Sequence, residues 1–467
     1  MIALFLAYVE EKQRREHDPH LWPGYKRQQT RKRDLGTYFG KVAYWRTYLY
    51  HTKSKKGHFP LDVSLGLAAD GFSMLIRSLG ARVATQMSYG QAVCQLTLFM
   101  GWSPCQRTLE QFVLGLGRQS GDWFEAAPAP ENDGEVLVVQ IDSKGIPTAT
   151  EGELKKRRRK RRKSKYPGSK RHHRWSARQQ LGPKKRKNPS DHSKNAKMAT
   201  IVVIYSLRMA QDDQLEGPIN KKVYASFAPK RHAFAIARRE ADKRGFTQES
   251  GKLIQVVTDG DNDLERYCKE FFPHATHTLD IFHATEYLWK AAGFLFLQGS
   301  FDLENWVAIQ KDLLFEDEAP KVLAEIQDQL EKLPKRGSRS KWRRKELGKI
   351  INYFRKRLDL MKYKSYLAKD LEVASGAVEG AVNYVIGRRL DCGGMRWIKE
   401  RAEALLQLRC IEVNGDWDAF MEFVHERSYQ KALANKKTHF LKAVSPSPLP
   451  TYGTPTHSSP KSEPIAS

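Results

Sequence analysis

Between Val136 and Ile281 the hydrophobic period changes, and that change constrains the fold more than any other feature of the chain. Val136 to Ile141 (VLVVQI) is a β-rich run that ends on Asp142. Ala199 to Leu207 (ATIVVIYSL) reads as a second strand and Lys222 to Phe227 as a third. Lys230 to Arg244 carries Phe234, Ile236 and Ala237 at helical spacing, and Leu253 to Val257 is a fourth strand leading to Asp259. Asp263 to Phe272 predicts a short helix, and Thr276 to Ile281 a fifth strand. Short runs rich in β-branched residues between polar turns favour strands, whereas apolar positions three and four apart favour helices.

Three strands, a helix, a strand, a helix and a strand is the order of the ribonuclease-H-like fold, an α/β core with a five-stranded mixed sheet and helices. There the first and fourth strands run side by side and parallel, so Asp142 and Asp259 emerge at the same end. Glu379, in SGAVEGAVNYVIG, begins a helix able to return across that end. Three carboxylates suit two divalent ions, one activating water or a 3′-hydroxyl and the other stabilising the leaving oxygen. An all-oxygen site with positions left for water and phosphate suits Mg2+, with Mn2+ as a substitute. Gly145, Gly260, Gly376 and Gly380 would let nucleic acid approach the backbone closely. The plain alternative for any one aspartate at a strand end is a turn or capping role. Joint placement on two adjoining strands is what favours a metal site.

The chain carries a net charge of +27, which points to a polyanionic partner, nucleic acid before membrane. Most of the surplus lies in one segment between the first two strands. Eighteen Lys and Arg fall between Lys155 and Lys187, with no acid between Leu154 and Ser190. The run comprises Lys155, Lys156, Arg157, Arg158, Arg159, Lys160, Arg161, Arg162 and Lys163, and later Lys184, Lys185, Arg186 and Lys187, with Tyr166, His172, His173 and Trp175 interleaved. Such a block is either a solvated loop or a contact to the DNA backbone, supplying affinity without base specificity. The five cysteines are scattered with no C-x-x-C pair, against a disulfide framework or zinc ribbon and for a reducing cytoplasm. Met1 to Val9 lacks the basic start and cleavage site of a signal peptide, and no stretch is long and apolar enough for a spanning helix. A soluble protein is expected.

Residues 1–130 are expected to form a helical N-terminal DNA-binding region. Leu61, Val63, Leu65, Leu67, Phe72, Leu75 and Ile76 fit amphipathic helices. Tyr89 to Met100 and Gln106 to Leu114 read as two helices about a Gly101-Trp102 turn, with Ser103 as N-cap, Pro104 in the first helical position and Gln106 closing a capping box. This segment, 89–114, is either a helix-turn-helix or an ordinary helical hairpin. Residues 131–281 form the first part of the core, with the basic loop at 155–190. Residues 282–372 form an all-helical insertion, 373–436 the C-terminal helices that carry Glu379, and 437–467 a Ser/Pro/Thr-rich disordered tail.

From Val136 to about Phe420 the chain resembles the bacterial insertion-sequence DDE transposases of the ISKra type, which look like relatives of Mutator-like transposases with a helical insert before the third acid. The segments that carry the resemblance are VVQIDSKGIP at Val138–Pro147, KNAKMATIVVIYSL at Lys194–Leu207, FFPHATHTLDIFHATEYLW at Phe271–Trp289, ASGAVEGAVNYVIGRRL at Ala374–Leu390, GGMRWIKERAEALLQLR at Gly393–Arg409 and NGDWDAF at Asn414–Phe420. The resemblance implies Asp142, Asp259 and Glu379 as catalytic acids holding two metal ions. It also singles out Asp280 and His283 as a D-x-x-H pair, with Asp280 a rival for the second acid. His283 would orient the scissile phosphate or protonate a leaving group; its bland alternative is a structural histidine. Trp289, and Trp397 beside Arg396, are candidates to stack on a splayed base, the alternative being helix-core tryptophans. The family's paired-cysteine metal knuckle has no counterpart in Tyr50–Pro60.

The activity implied is that of a DNA transposase. It would bind the terminal inverted repeats of its element, cleave DNA by two-metal hydrolysis, and join the 3′-hydroxyl end to target DNA. Double-stranded DNA at transposon ends and target, a homodimer or larger assembly on it, and a nucleoid-associated place in the bacterial cytoplasm are expected with it. A non-catalytic DNA-binding protein derived from a transposase, or another ribonuclease-H-like nuclease, are the alternatives.

Overall fold

A computed structural model describes residues 1–15, 24–67, 70–155 and 196–438. The basic run from Lys156 onward and the tail beyond 438 lie outside these residues. The chain divides into two compact units, Met1–Ile76 with His425–Ser467, and Arg77–Val424.

The first unit departs from the helical expectation. It begins with α1 (Ile2–Arg15), but then forms β1 (Tyr25–Arg27), β2 (Arg31–Thr37), β3 (Gly40–Arg46), β4 (Leu49–His51) and β5 (Lys56–His58) before α2 (Pro60–Ser64). β2 and β3 make an antiparallel hairpin from Arg31↔Arg46 to Thr37↔Gly40, and Gly40 takes φ +108 at the turn. Leu35 and Tyr44 pack with Leu6 and Leu61. The strand period is hidden in the sequence because Arg33 and Arg46 share the largely buried side of this hairpin. Asp62 neutralises both: it pairs with Arg46, accepts from Arg33 Nη1 at 2.7 Å, and accepts from Tyr44 Oη at 2.8 Å.

The boundary at Ile76 falls within α3 (Met74–Gln86), and the second unit goes on with α4 (Tyr89–Met100), α5 (Gln106–Gly117) and α6 (Ser120–Ala126). The capping differs from expectation. α5 starts at Gln106 with Cys105 in the cap position, while the Ser103 hydroxyl donates to Pro104 O at 2.8 Å. The capping box belongs to α4, where Ser88 and Gln91 satisfy each other's backbone N–H. Leu109, Phe112, Val113 and Leu116 of α5 are all buried.

The sheet follows, built from β6 (Val136–Pro147), β7 (Ala196–Met209), β8 (Leu215–Ser226), β9 (Leu253–Thr258) and β10 (Thr276–Leu279), in the order β10-β9-β6-β7-β8. β6, β7 and β8 are antiparallel neighbours, and β6–β9 and β9–β10 are parallel. The arrangement is compatible with a ribonuclease-H-like core. β6 outruns its apolar segment by six residues because β7 goes on pairing with it as far as Pro147↔Ala196. β10 stops at Leu279, since Asp280 caps the next helix.

α7 (Lys230–Lys243) connects β8 to β9, and α8 (Asn262–Phe271) connects β9 to β10. Leu137, Val139, Ile141, Val202 and Ile204 of the sheet bury against Phe234, Ala237 and Ala241 of α7 and Leu264 and Cys268 of α8. This apolar interior is the main source of the unit's stability. Residues 281–372 contain α9 (Ile281–Leu295), α10 (Phe301–Phe315), α11 (Ala319–Lys332), α12 (Ser338–Arg355) and α13 (Tyr363–Leu367), and no strand. The chain then enters α14 (Gly376–Ala381), a π turn at Val382–Gly387, α15 (Arg388–Leu390), α16 (Lys399–Val413) and α17 (Trp417–Thr438). A Cβ on Gly117 of α5 would lie 2.7 Å from Ala404 Cβ of α16, so these two helices touch backbone to backbone.

Candidate active site

Ile141 and Thr258 are register partners on the parallel β6–β9 pair, and the next residue on each strand is an aspartate. Asp142 and Asp259 therefore leave the sheet side by side at the same end. Asp142 Oδ1 accepts its neighbour's N–H, Ser143, at 2.6 Å, and Asp259 Oδ1 accepts from Asp261 N at 2.9 Å. Asp261 in turn caps α8 and pairs with Lys230 at 2.8 Å, fixing the loop that follows β9.

Glu379 reaches this end on α14, and two buried glutamines bring it there. Gln140 of β6 donates to Ala374 O at 3.2 Å and accepts from Val378 N at 2.9 Å. Gln255 of β9 donates to Glu372 O at 2.7 Å and accepts from Glu372 N at 3.0 Å. The strands that carry the two aspartates thus grip the segment 372–378 through side-chain amides. A polar group buried in a sheet needs such partners, and here those partners are the backbone of another segment.

Asp280 lies one step beyond β10 and is completely buried, at 0 % exposure. Its Oδ1 accepts from Phe282 N at 3.1 Å and Ser375 N at 3.2 Å; its Oδ2 accepts from Ser375 Oγ at 2.7 Å and from His283 Nδ1 at 2.6 Å. Four donors fill the carboxylate. Burial opposes its ionisation, but the hydrogen bonds from His283, Ser375 and Phe282 outweigh it and hold the group below the usual carboxylate range. Asp280 is thereby a junction of β10, α9 and the segment leading to Glu379. Ser375 Oγ extends the chain of contacts to Glu379 Oε1 at 3.2 Å.

Asp280, His283 and Glu379 offer ligand atoms within 4.8 Å of one another, the one such trio of His, Cys, Asp or Glu among the described residues. Their nearness follows from the hydrogen bonds just named. Asp142 and Asp259 fall outside that spacing but within electrostatic reach. Burial raises the Asp142 pKa and the Ser143 N–H opposes the rise; of the nearby charges, Asp259 and Glu379 add to it and His283 opposes it. His283 is raised to about 8, chiefly by its hydrogen bond to Asp280 and against its own burial. With Nδ1 committed, Nε2 is the ring atom left for a ligand.

Asp142, Asp259 and Glu379 join no ion pair among the described residues. Their oxygens are of the type hard divalent cations prefer, although the three do not gather within the spacing that Asp280, His283 and Glu379 reach. Asp280 fits less well, since a metal would have to displace an existing donor.

The helical segment supports the Asp259 loop from behind. Gly260 takes φ +79, and a Cβ there would lie 2.8 Å from Tyr353 Oη and 2.9 Å from Arg357 Nε. Tyr353 donates to Asp259 O at 3.1 Å, and buried Arg357 donates to Asn262 Oδ1 at 2.9 Å and pairs with Glu265. Sequence reasoning does not single out Gln140, Gln255, Ser375, Tyr353 or Arg357. A lone glutamine inside each acid-bearing apolar run is the signal that could have found the first two.

The other candidates scatter. Trp397 is buried, its Nε1 donates to Leu390 O at 2.9 Å, and its backbone bridges to Thr148 beyond β6. Its ring is packed in the core, which favours the helix-core alternative. Arg396 beside it is half-buried, Trp289 on α9 is 46 % exposed, and Lys155 is exposed. Lys156, Arg157, Arg158, Arg159, Lys160, Arg161, Arg162, Lys163, Lys184, Lys185 and Arg186 lie outside the described residues.

No family model matches the chain, and no curated protein matches it. Among solved structures, a Drosophila P element transposase strand transfer complex is similar over 79 % of this chain and 85 % of that one, at 10 % identity and a TM-score of 0.22. A likeness of that size defines neither fold nor activity. No helix among the described residues is long and apolar enough to cross a membrane.

Proposed function

We propose that this chain is a DDE-type DNA transposase, with Asp142, Asp259 and Glu379 as the acids that hold two Mg2+ ions. The observation that carries the reading is the placement of Asp142 and Asp259 one residue past a parallel register pair, with Glu379 returned to the same end by Gln140 and Gln255. The ordered resemblance from Val138 to Phe420 to insertion-sequence transposases supports the same assignment. Asp259 is preferred to Asp280 as the second acid because Asp280 already accepts four hydrogen bonds.

When bound, the ions would supply Lewis acidity and a more acidic water or 3′-hydroxyl. The remaining work belongs to the chain. Asp142 and Asp259, fixed by the N–H groups of Ser143 and Asp261, hold one side of the site, and Glu379 closes the other. His283, turned by Asp280 so that Nε2 is free, donates a proton or hydrogen bond to a phosphate oxygen. The basic run 155–187 and Trp289 would bind double-stranded DNA at transposon ends and target, and a homodimer would hold two ends together.

The test is cleavage and strand transfer on terminal-repeat DNA with Mg2+ by wild type, Asp142→Asn and Glu379→Gln. Loss of both activities by a factor of at least about a thousand is expected for each variant. Equal activity in all three would remove the site.

A further inference from the structure

α12 carries charge that the proposed site does not use. Between Lys332 and Lys349 there are nine Lys and Arg and a single acid, Glu346. Lys335, Arg336, Arg339, Lys341 and Lys345 are exposed, and none has an ion-pair partner among the described residues. Lys341, Lys345 and Lys349 follow one another at i, i+4 and i+8 along one stripe of the helix, and only Lys349 is tied to Glu346, at 2.7 Å. Like charges at this spacing each cost an isolated helix a few tenths of a kcal/mol. Trp342, between the first two, is 53 % exposed although its ring meets Phe294 of α9 edge-on at 5.2 Å.

The same helix leads to the acids. Tyr287 of α9 stacks on Tyr353 of α12 with centroids 3.7 Å apart, and Phe294 meets Trp342, so the two helices run antiparallel. Their far end bears the cations and Trp342. Their near end bears His283 on α9, and Tyr353 on α12 holds Asp259 O. At 1.5 Å per residue, Lys345 and Lys341 lie about 12 and 18 Å along the axis from Tyr353, which is about four to five base-pair steps of duplex.

We infer that the exposed stripe of α12 binds the phosphate backbone of duplex DNA about four to five base pairs from the scissile phosphate, with Trp342 packing on the sugar edge. This rests on the nuclease reading above for the position of the cut, but the binding itself does not. Charge complementarity selects a phosphate chain: exposed cations along one stripe, two of the three without an ion-pair partner among the described residues, beside an exposed indole match a repeating anion better than a protein surface of mixed charge.

The experiment measures affinity of the full chain for a random-sequence duplex in EDTA, across a salt series. Removing one cation that neutralises a phosphate lowers the slope of log K against log salt by about 0.9. Arg339→Gln/Lys341→Gln/Lys345→Gln should therefore reduce the slope by about 2 to 3 and weaken binding at least about tenfold near physiological salt. Glu346→Gln, which removes the one acid, should move both quantities the other way and guards against a folding defect in the triple variant. On terminal-repeat DNA whose cleavage position has been mapped with Mg2+, hydroxyl-radical footprinting in EDTA should show the triple variant losing protection about four to five base pairs from that position. An unchanged slope in both variants overturns the inference, as does loss of binding to phosphatidylserine vesicles with DNA affinity intact. Because binding is read without metal, an inactive wild type would sink the nuclease reading and leave this measurement standing.

Discussion

Gln255 holds Glu372 by both of its backbone groups, donating to the carbonyl at 2.7 Å and accepting from the N–H at 3.0 Å. A side-chain amide here does what a neighbouring strand would do, and it does so at the sheet position where Glu379 must be delivered. Gln255→Leu should leave that N–H and carbonyl buried without partners and cost about 2–4 kcal/mol in urea denaturation. Gln140→Leu should have a similar effect on stability and should also lower Mg2+-dependent cleavage, since Val378 lies next to Glu379. Unchanged stability in both variants would mean that the amides are incidental.

Gly260→Ala tests the support behind Asp259. The backbone at φ +79 and the near approach of Tyr353 and Arg357 leave no room for a methyl group. A loss of at least about 2 kcal/mol is expected. Tyr353→Phe removes only the hydrogen bond to Asp259 O and should cost about 1 kcal/mol. Equal costs for the two would indicate that sterics at Gly260 are unimportant.

His283 gives stability a defined pH dependence in the absence of metal. Its pKa is raised from 6.5 to about 8, chiefly by the bond to Asp280. A raised histidine contributes fully below about 6.5 and loses its contribution as pH climbs through about 8. The wild-type advantage over His283→Gln should therefore shrink between about pH 6.5 and 8.5, by no more than about 1 kcal/mol because the ring is partly solvated. Denaturation curves of the two proteins at matched pH provide the check; a constant difference would dismiss the Asp280–His283 pair as a stabilising contact.

Mg2+ itself should stabilise the wild-type chain. Burial and the charges of Asp259 and Glu379 both disfavour ionised Asp142, and a divalent ion would relieve that repulsion. At a metal concentration about a hundred times Kd the gain is about 2.7 kcal/mol. Asp142→Asn should raise stability without metal and blunt the response to it. A melting temperature that ignores Mg2+ in both proteins would count against the carboxylates as ligands.

The sheet is legible in the sequence because its five runs are apolar and β-branched, and Asp142 and Asp259 are legible as acids at the ends of two of them. What supports the acids is not. Gln140 and Gln255 look like interruptions of an apolar strand, and their partners lie more than a hundred residues away, where no local pattern reaches. Asp280 can be seen as important but not as saturated, because Ser375 joins it only through the tertiary fold. The first unit reads as helical, wrongly, for an electrostatic reason: Asp62 lets two arginines occupy the largely buried side of a hairpin. Trp397 looks available beside Arg396, yet the bridge to Thr148 draws it inside.

Asp280 also sets an order of events during synthesis. Its carboxylate is complete only when Ser375 has arrived, ninety-five residues later in the chain. Until those residues leave the ribosome, Glu379 cannot join Asp142 and Asp259 at that end of the sheet, although the contact between Asp280 and His283 can already form. Any chemistry that needs all three carboxylates is thus withheld from the nascent chain until residue 379 has been made and has folded into place.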